Sequence, residues 1–303
     1  RQIPRRSDNR PSTLPTPCPM TTATKRTASR SSAGFGAALR GGVATFLARP
    51  LVWALVAVWL LQIVVFAYAI NAAVYSRNPD SPASALIADS LGVNAAHAWP
   101  LASMPTYGSF VFVLLGALAG ASDYRFGTFR LILPRYASRT GLLGARIVCL
   151  AVLSVVVSAL TLLTSFAASA IVSSSLKLDA GAPPVSDVLV SLALGALVVF
   201  VMTAIGFALS LALRSLLGGF LAGFGWAIGI EVLLMRMLSP LAGWVDGVRG
   251  LLPVGSSSTL IAAVGAKAGL SELVSPWAAA AALIAWTVIL FATAIALFRR
   301  RDV

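Results

Sequence analysis

The chain contains six apolar stretches that are each long enough to cross a lipid bilayer as an α-helix. A crossing takes roughly 20 apolar residues, because backbone polar groups in hydrocarbon must hydrogen-bond within the segment. Hydrophobic residues make up 58% of the 303 residues and charged residues only 11%, which excludes an ordinary soluble domain. The stretches cover approximately residues 51–75, 107–122, 143–172, 188–213, 216–235 and 277–298. The sequence therefore predicts an all-α membrane protein with six transmembrane helices.

Basic residues are concentrated on one side of the predicted membrane. Six spans place both termini on the same side, and eighteen of the 23 Lys and Arg residues lie on that side, against five on the other. Because short basic loops stay in the cytoplasm, we expect both termini to be cytoplasmic. The net charge of +13 follows from this topology, so we expect no nucleic-acid partner.

The N-terminal 32 residues differ from the rest of the chain. They are rich in Pro, Ser, Thr and Arg and nearly free of large apolar side chains, so they cannot form a core. We expect a disordered basic tail over residues 1–32 and a transmembrane domain over residues 33–303. Met20 offers a translational start, and we assign no function to the residues before it.

A segment just ahead of the first span has apolar residues at helical spacing. They are Phe35, Leu39, Val43, Phe46 and Leu47. This spacing predicts an interfacial elbow helix that lies along the membrane surface. A loose lead-in is the alternative, since several glycines in the segment lower its helix propensity.

No pattern of catalytic, metal-binding or cofactor-binding residues stands out. His97 is the one histidine, and neither it nor Cys18 or Cys149 belongs to a cluster with metal-ligand spacing. The glycines of residues 116–120 and 265–269 do not fit the phosphate-binding loop G-x-x-x-x-G-K-[ST]. We therefore expect no catalytic residue, no metal and no cofactor on this chain.

A short basic turn lies between the second and third spans, on the side assigned to the cytoplasm. It reads Asp123-Tyr124-Arg125-Phe126-Gly127-Thr128-Phe129-Arg130 and continues to Pro134, Arg135, Ser138 and Arg139. Aromatic residues and arginines around a permissive glycine suit the docking of a cytoplasmic protein. The same residue types also anchor loops at lipid headgroups, which is the alternative.

This turn resembles the cytoplasmic segment of ABC-2 type transporter permeases. The family pattern is an acid, Tyr-Arg-x-Gly-Thr-x-Arg, an apolar pair, Pro, Ser-Arg and a further apolar pair. The chain matches it from Asp123 to Gly144, with Asp123 where the family usually has Glu and without the Lys that is often found near Arg146. The six-span layout and the basic C-terminal end are also similar to this family, and the resemblance covers about residues 34–303.

The resemblance implies that transport and ATP hydrolysis are carried out by different subunits. Two membrane subunits form the pathway, and separate cytoplasmic ABC ATPase subunits bind ATP and Mg²⁺ and drive it. The second permease subunit would be a copy of this chain or a relative. In this family the segment is a coupling helix, which here would comprise Asp123, Tyr124, Arg125, Phe126, Gly127, Thr128, Phe129, Arg130, Arg135 and Arg139. An elbow helix and outer half-helices between the fifth and sixth spans are also implied.

The implied function is export from a bacterial cell across its plasma membrane, with membrane lipids around the subunit. An amphipathic drug, antibiotic or lipid-like molecule would suit a pathway with few charges. The alternatives are a secondary transporter driven by an ion gradient, and a membrane scaffold or sensor subunit that transports nothing. The sequence features that separate these alternatives are intramembrane ionisable groups and repeated halves, which a secondary transporter generally has.

Three groups inside the spans are candidates for the pathway or for helix interfaces. The third span carries hydroxyl residues on one helical face, namely Ser154, Ser158, Thr161, Ser165 and Ser169. In the fifth span, Gly219 and Gly223 form a small-xxx-small pair that favours close helix approach. Glu231 is the one acid within a span; we expect it near the outer boundary, where Arg236 or water would satisfy it. Packing and pathway roles both remain open for these residues.

Overall fold

The computed structural model describes residues 41–125 except 42 and 45, 139–178, 181–265 and 273–300. Within these ranges the chain is helical and contains no β-strand. We number the helices in chain order. They are α1 (Pro50–Arg77), α2 (Pro82–Leu91), α3 (Ser109–Arg125), α4 (Arg139–Leu176), α5 (Val185–Leu213), α6 (Leu216–Leu238), α7 (Trp244–Leu251), α8 (Pro253–Ala263) and α9 (Pro276–Arg300).

Six of the described helical stretches are long and apolar enough to cross a membrane. They are Pro50–Arg77, Pro100–Ala121, Leu143–Leu176, Val185–Leu213, Leu216–Leu238 and Pro276–Leu297. The prediction of six spans in an all-α protein is therefore confirmed. The chain has the character of a multi-pass membrane protein.

The second span begins earlier than the sequence suggests. We predicted a start near Tyr107, whereas the helical stretch starts at Pro100. A 3₁₀ turn at Pro100–Ser103 and a π-helical segment at Met104–Gly108 run directly into α3. Proline is tolerated in a first helical turn because the N–H that it lacks has no partner there.

Prolines and serines set several helix ends. Pro50, Pro82 and Pro253 each occupy the first helical position. The Ser215 hydroxyl caps α6 by accepting a hydrogen bond of 3.1 Å from the Gly218 N–H. Arg214 has a left-handed backbone with φ of 50°, which turns the chain sharply between α5 and α6.

Helix α5 lies at the centre of the bundle, where it packs against α3, α4, α6 and α9. Its contact with α3 depends on two glycines. A Cβ on Gly206 would lie 1.9 Å from the Val113 carbonyl oxygen, and a Cβ on Gly116 would lie 1.9 Å from that of Thr203. The two backbones therefore touch directly, and no side chain fits at either position.

The bundle has two ends that carry different structures. We call the end with the α3–α4 connection and the α5–α6 turn the proximal end, and the opposite end the distal end. The distal end carries α2 and the paired helices α7 and α8. The short helices that we predicted between the fifth and sixth spans agree with α7 and α8, whereas α2 was not predicted.

The predicted elbow and coupling segments fall partly outside the described residues. Val43, Phe46 and Leu47 are helical and Phe46 is buried, whereas Phe35 and Leu39 lie outside the described residues. Asp123, Tyr124 and Arg125 form the last turn of α3, and Arg139 begins α4. The remaining coupling residues lie outside the described part of the chain; they are Phe126, Gly127, Thr128, Phe129, Arg130 and Arg135.

Candidate functional site

The predicted coupling segment joins two helices that are tied together near the proximal end. The Arg146 guanidinium on α4 donates a hydrogen bond of 3.0 Å from Nη1 to the carbonyl oxygen of Ala119 on α3. Arg146 lies seven residues beyond the start of α4, and Ala119 lies six residues before the end of α3. The two helices that flank the predicted coupling segment are therefore joined close to it.

The hydroxyl residues of the third span form a buried row along α4. Ser154, Ser158, Thr161, Ser165 and Ser169 are all buried. Towards the proximal end they bond their own helix: Ser154 donates to the Leu150 carbonyl at 2.8 Å, and Thr161 to that of Val157 at 2.9 Å. Ser158 differs, since it donates to the Leu192 carbonyl of α5 at 3.0 Å.

Two aromatic side chains of the first span complete this row. Trp59 Nε1 donates to Thr161 Oγ1 at 2.9 Å, and the Tyr68 and Ser165 hydroxyls lie 2.5 Å apart. Both aromatic side chains are fully buried. The row therefore serves as a polar seam between α1 and α4, and its hydroxyls face protein in this conformation.

The distal part of the row holds the segment that follows α2. Ser165 donates to the Ala96 carbonyl at 2.6 Å, and Ser169 donates to the Leu91 carbonyl at 2.7 Å. Leu91 ends α2, so its carbonyl has no partner within that helix and accepts a side-chain donor instead. The α4 hydroxyls thus fix the distal segment on the bundle.

Glu231 lies in a π-helical segment of α6, Gly225–Leu234, and is 1% exposed. Its Oε1 accepts a hydrogen bond of 2.7 Å from Trp226 Nε1, and its Oε2 accepts one of 2.7 Å from the Val254 N–H. We expected Arg236 or water as its partner, and the structure places Trp226 and the start of α8 there instead.

The Glu231 carboxylate acts as the cap of α8. Val254 is the second residue of that helix, and no side chain of the preceding residue caps it. A carboxylate is well suited to this position, because it satisfies an unpaired N–H and faces the positive end of the helix dipole. Trp286 of α9 donates from Nε1 to the Leu251 carbonyl at 3.0 Å, close to the same helix start. Glu231 thereby joins α6 to the distal pair.

The glycines of the fifth span fall into two groups. A Cβ on Gly219 would lie 2.4 Å from the Cα of Ser210, and one on Gly223 would lie 2.8 Å from Val113 Cγ1. These two glycines therefore serve close packing of α6 on α5 and α3. By contrast, a Cβ on Gly225 or Gly229 would meet no atom within 4 Å.

The distal end also contains a cavity of about 580 Å³ between α2, the segment after it and the start of α5. Asp89, His97 and Asp187 lie among its lining residues. His97 is buried, and its Nδ1 lies 2.8 Å from the Asn94 carbonyl oxygen. Among the residues described, no three His, Cys, Asp or Glu side chains are placed to hold a metal ion.

Sequence reasoning missed the aromatic donors of this network. Trp59, Tyr68, Trp226 and Trp286 each place a polar hydrogen inside a predicted span. The signal is general, since a Trp or Tyr in hydrocarbon needs a hydrogen-bond acceptor. The partner of each could not be read from the sequence, because Trp59 and Thr161 are 102 residues apart.

Comparison with known proteins places the chain in a family. No curated protein matches it. A protein-family model matches residues 65–303, a range that includes most of the membrane-spanning part and begins within α1. The chain belongs to this family, which is described as a protein of unknown function (DUF2705).

Proposed function

We propose that the chain is the transmembrane permease subunit of an ATP-driven ABC exporter. The observation that carries this proposal is the ordered motif from Asp123 to Arg139, between the second and third spans. A loop that only anchors to lipid headgroups needs arginines and aromatics, but it does not need this order of residues. The six spans and the helix pair α7–α8 support the same reading.

In this proposal the motif is the contact with a separate ATPase subunit. Phe126 and Phe129 bury their rings in a cleft of the ATPase, Arg125 and Arg130 form ion pairs with it, and Gly127 allows the turn. ATP and Mg²⁺ are bound by that partner. When the ATPase moves the docked motif, the contact between Arg146 and Ala119 transmits that movement to α3 and α4 together.

The proposal includes a second permease subunit, either a copy of this chain or a relative, and a bacterial plasma membrane with both termini in the cytoplasm. The lopsided distribution of Lys and Arg supports that orientation. The open face of α6 at Gly225 and Gly229 is compatible with a contact between subunits. An amphipathic substrate fits spans that contain so few charged residues.

A secondary transporter finds little support in the described residues. Such a transporter needs an ionisable group near the midplane that is free to bind and release an ion. Among the described residues, Asp187 lies in the first turn of its span, and Glu231 lies deeper in its own span, where both of its oxygens accept hydrogen bonds from the protein. It is placed to hold α8, a role that a scaffold subunit would share with an exporter.

The test is to tag the chain, purify it from native membranes in mild detergent and assay the co-purified material for vanadate-sensitive ATPase activity. We expect a stoichiometric ATPase partner. Replacement of Phe126, Gly127 and Phe129 together by alanine should remove that partner and leave membrane insertion intact.

A matched control replaces Gly243, Trp244 and Trp277, again one glycine and two aromatic residues. They lie at the distal end, where both indoles are exposed and a Cβ on Gly243 meets no atom within 4 Å. This variant should retain the ATPase. Absence of an ATPase from an intact wild-type preparation would contradict the proposal, as would equal behaviour of the two variants.

A further inference from the structure

A second cavity opens between the first and second spans. Its volume is about 390 Å³. We call it the lateral cavity; its lining residues are Gln62, Ile63, Phe66, Ala67, Trp99, Ala102, Ser103 and Tyr107. Gln62 lies about 18 Å along α1 from Pro50, at 1.5 Å of rise per residue. On the other side Trp99, Ala102 and Ser103 lie at the start of the second span, so the cavity reaches from the interior of α1 to the distal end of the second span.

Irregular helical turns build both walls of the lateral cavity, π-helical on the first span and 3₁₀ followed by π-helical on the second. One wall is the π-helical segment Ile63–Ala69, and the other runs from Trp99 to the π-helical segment Met104–Gly108. The Ala67 carbonyl oxygen accepts hydrogen bonds from Trp99 Nε1 at 3.0 Å and from Asn71 Nδ2 at 3.0 Å. The indole is thereby fixed across the cavity, which makes the cavity a formed feature of the fold. Such π-helical turns often occur at functional sites.

Two polar groups of the cavity lack a partner. Among the described residues, no hydrogen bond reaches the Gln62 carboxamide or the Tyr107 hydroxyl. Gln62 is partly exposed and Tyr107 is 65% exposed, so both groups are open to a ligand. A ligand with a hydroxyl, carbonyl or amide group would satisfy both groups.

The chemistry of the lining restricts the occupant further. The eight lining residues include no Asp, Glu, Lys, Arg or His, so a charged ligand would find no partner of opposite charge in the lining. Apart from Gln62, Ser103 and Tyr107 the lining is apolar, and it includes Ile63, Phe66 and Trp99. Phe66 and Tyr107 are 64% and 65% exposed, which places the opening on the side of the surrounding lipid.

We infer that the lateral cavity binds an uncharged amphipathic molecule that reaches it from the bilayer. The polar group of the ligand hydrogen-bonds to Gln62 and Tyr107, and its apolar part packs against Phe66 and Trp99. The binding itself is independent of any ATPase. A role of the cavity as the point where a substrate leaves the membrane rests on the proposed function.

The test uses the full chain, purified and reconstituted in phosphatidylcholine nanodiscs without any partner. The probe is a neutral long-chain alcohol that carries a benzophenone photolabel, and the labelled residues are mapped by mass spectrometry. We expect saturable labelling of Ile63–Ala69 and of residues 99–107. A trimethylammonium analogue of the same chain length should label these segments at least tenfold less.

Two variants probe the cavity, and one controls for the substitution. Ala102→Trp fills the cavity and should reduce labelling about tenfold or more. Gln62→Leu keeps the side-chain volume but removes the amide, and it should weaken the apparent affinity about threefold to tenfold. Ala73→Trp places the same indole on an exposed position of α1 outside the cavity, so labelling by the neutral probe should be unchanged.

The inference is overturned if labelling is unsaturable and spread over all lipid-facing spans, or if the cationic analogue labels equally well. It is also overturned if Gln62→Leu, folded as judged by gel filtration, binds the neutral probe as well as wild type. Because no ATPase is present, failure of this test leaves the proposed permease function intact. Loss of the ATPase partner in the earlier test would likewise leave the binding result standing.

Discussion

Two helix contacts in this bundle are held by opposite means. At the α3–α5 contact, Gly116 and Gly206 let two backbones touch, and no side-chain hydrogen bond is needed. At the α6–α8 contact, the buried carboxylate of Glu231 accepts a hydrogen bond of 2.7 Å from the Val254 N–H of α8, while Trp226 of its own helix donates to the other oxygen. The first contact tolerates no added atom, whereas the second depends on one functional group.

The difference shows where the fold is rigid and where it can be released. A backbone contact between spans has no alternative arrangement, so it suits the fixed centre of the bundle. A hydrogen-bonded cap can be lost while the spans stay packed, so it suits the attachment of the distal helices. If the chain is an exporter, movement is therefore expected at α7 and α8 more than between α3 and α5.

The largest effect is expected at the centre. Gly206→Leu adds a side chain whose Cβ would lie 1.9 Å from the Val113 carbonyl oxygen, so α3 and α5 must separate. We expect a loss of about 3 kcal/mol or more in the free energy of unfolding, and little folded protein. Thermal melting monitored by fluorescence-detected gel filtration measures this.

Gly247→Leu is the matched control, since a Cβ at that exposed position of α7 meets no atom within 4 Å. This variant should elute and melt like the wild type. If both variants fold equally well, direct backbone packing of α3 on α5 is wrong.

A smaller, local effect is expected at the distal attachment. Glu231→Ala leaves the Val254 N–H and the Trp226 indole without their acceptor, so we expect the free energy of unfolding to fall by about 2 kcal/mol. Glu231→Gln keeps one acceptor oxygen and should lose about half as much. Hydrogen exchange should rise in Pro253–Ala263 and remain unchanged in α3 and α5.

The exposed carboxylate of Asp246 offers a comparison in the same region. Asp246→Ala removes a hydrogen bond of 2.7 Å from Ser239 Oγ and a weak ion pair with Arg249 at 3.9 Å. Neither contact involves α8, so exchange in α8 should stay near the wild-type rate. If hydrogen exchange rises by the same factor in every helix of Glu231→Ala, the carboxylate stabilises the whole bundle and not α8 alone.

The spans could be predicted because they follow from one local property. Roughly 20 apolar residues in a row identify a span wherever it lies in the chain. This criterion alone identified all six spans. The start of the second span was misjudged, since Pro100 and Pro105 interrupt the apolar pattern although the helical turns continue through them. Helix α2 was missed because its ten residues are too few for a span.

The partners of the polar groups could not be predicted, because each lies far away in the sequence. The position of Glu231 in a span marked it as unusual, but its contact with Val254 depends on how α8 folds back over α6. The hydroxyl row of α4 was visible from its spacing, whereas its contacts with Tyr68 and Ala96 depend on the packing of three segments. Spacing identifies a helical face, and tertiary packing decides what the face meets.

The smallest effect is expected at the polar seam between α1 and α4. This contact combines close packing with side-chain hydrogen bonds. The Tyr68 and Ser165 hydroxyls are 2.5 Å apart and buried, so Tyr68→Phe and Ser165→Ala should be coupled in a double-mutant cycle. Hydrogen bonds between membrane helices contribute on average about 0.6 kcal/mol, because the separated helices also find partners, and we expect a coupling of that order. Tyr68→Phe combined with Ser174→Ala is the control, since Ser174 is exposed and bonds the Ile171 carbonyl of its own helix; those two changes should be additive. A coupling energy above about 2 kcal/mol would show that the seam, like the α3–α5 contact, is a rigid part of the bundle. Additivity of Tyr68→Phe with Ser165→Ala would show that side-chain packing, and not this hydrogen bond, holds the seam together.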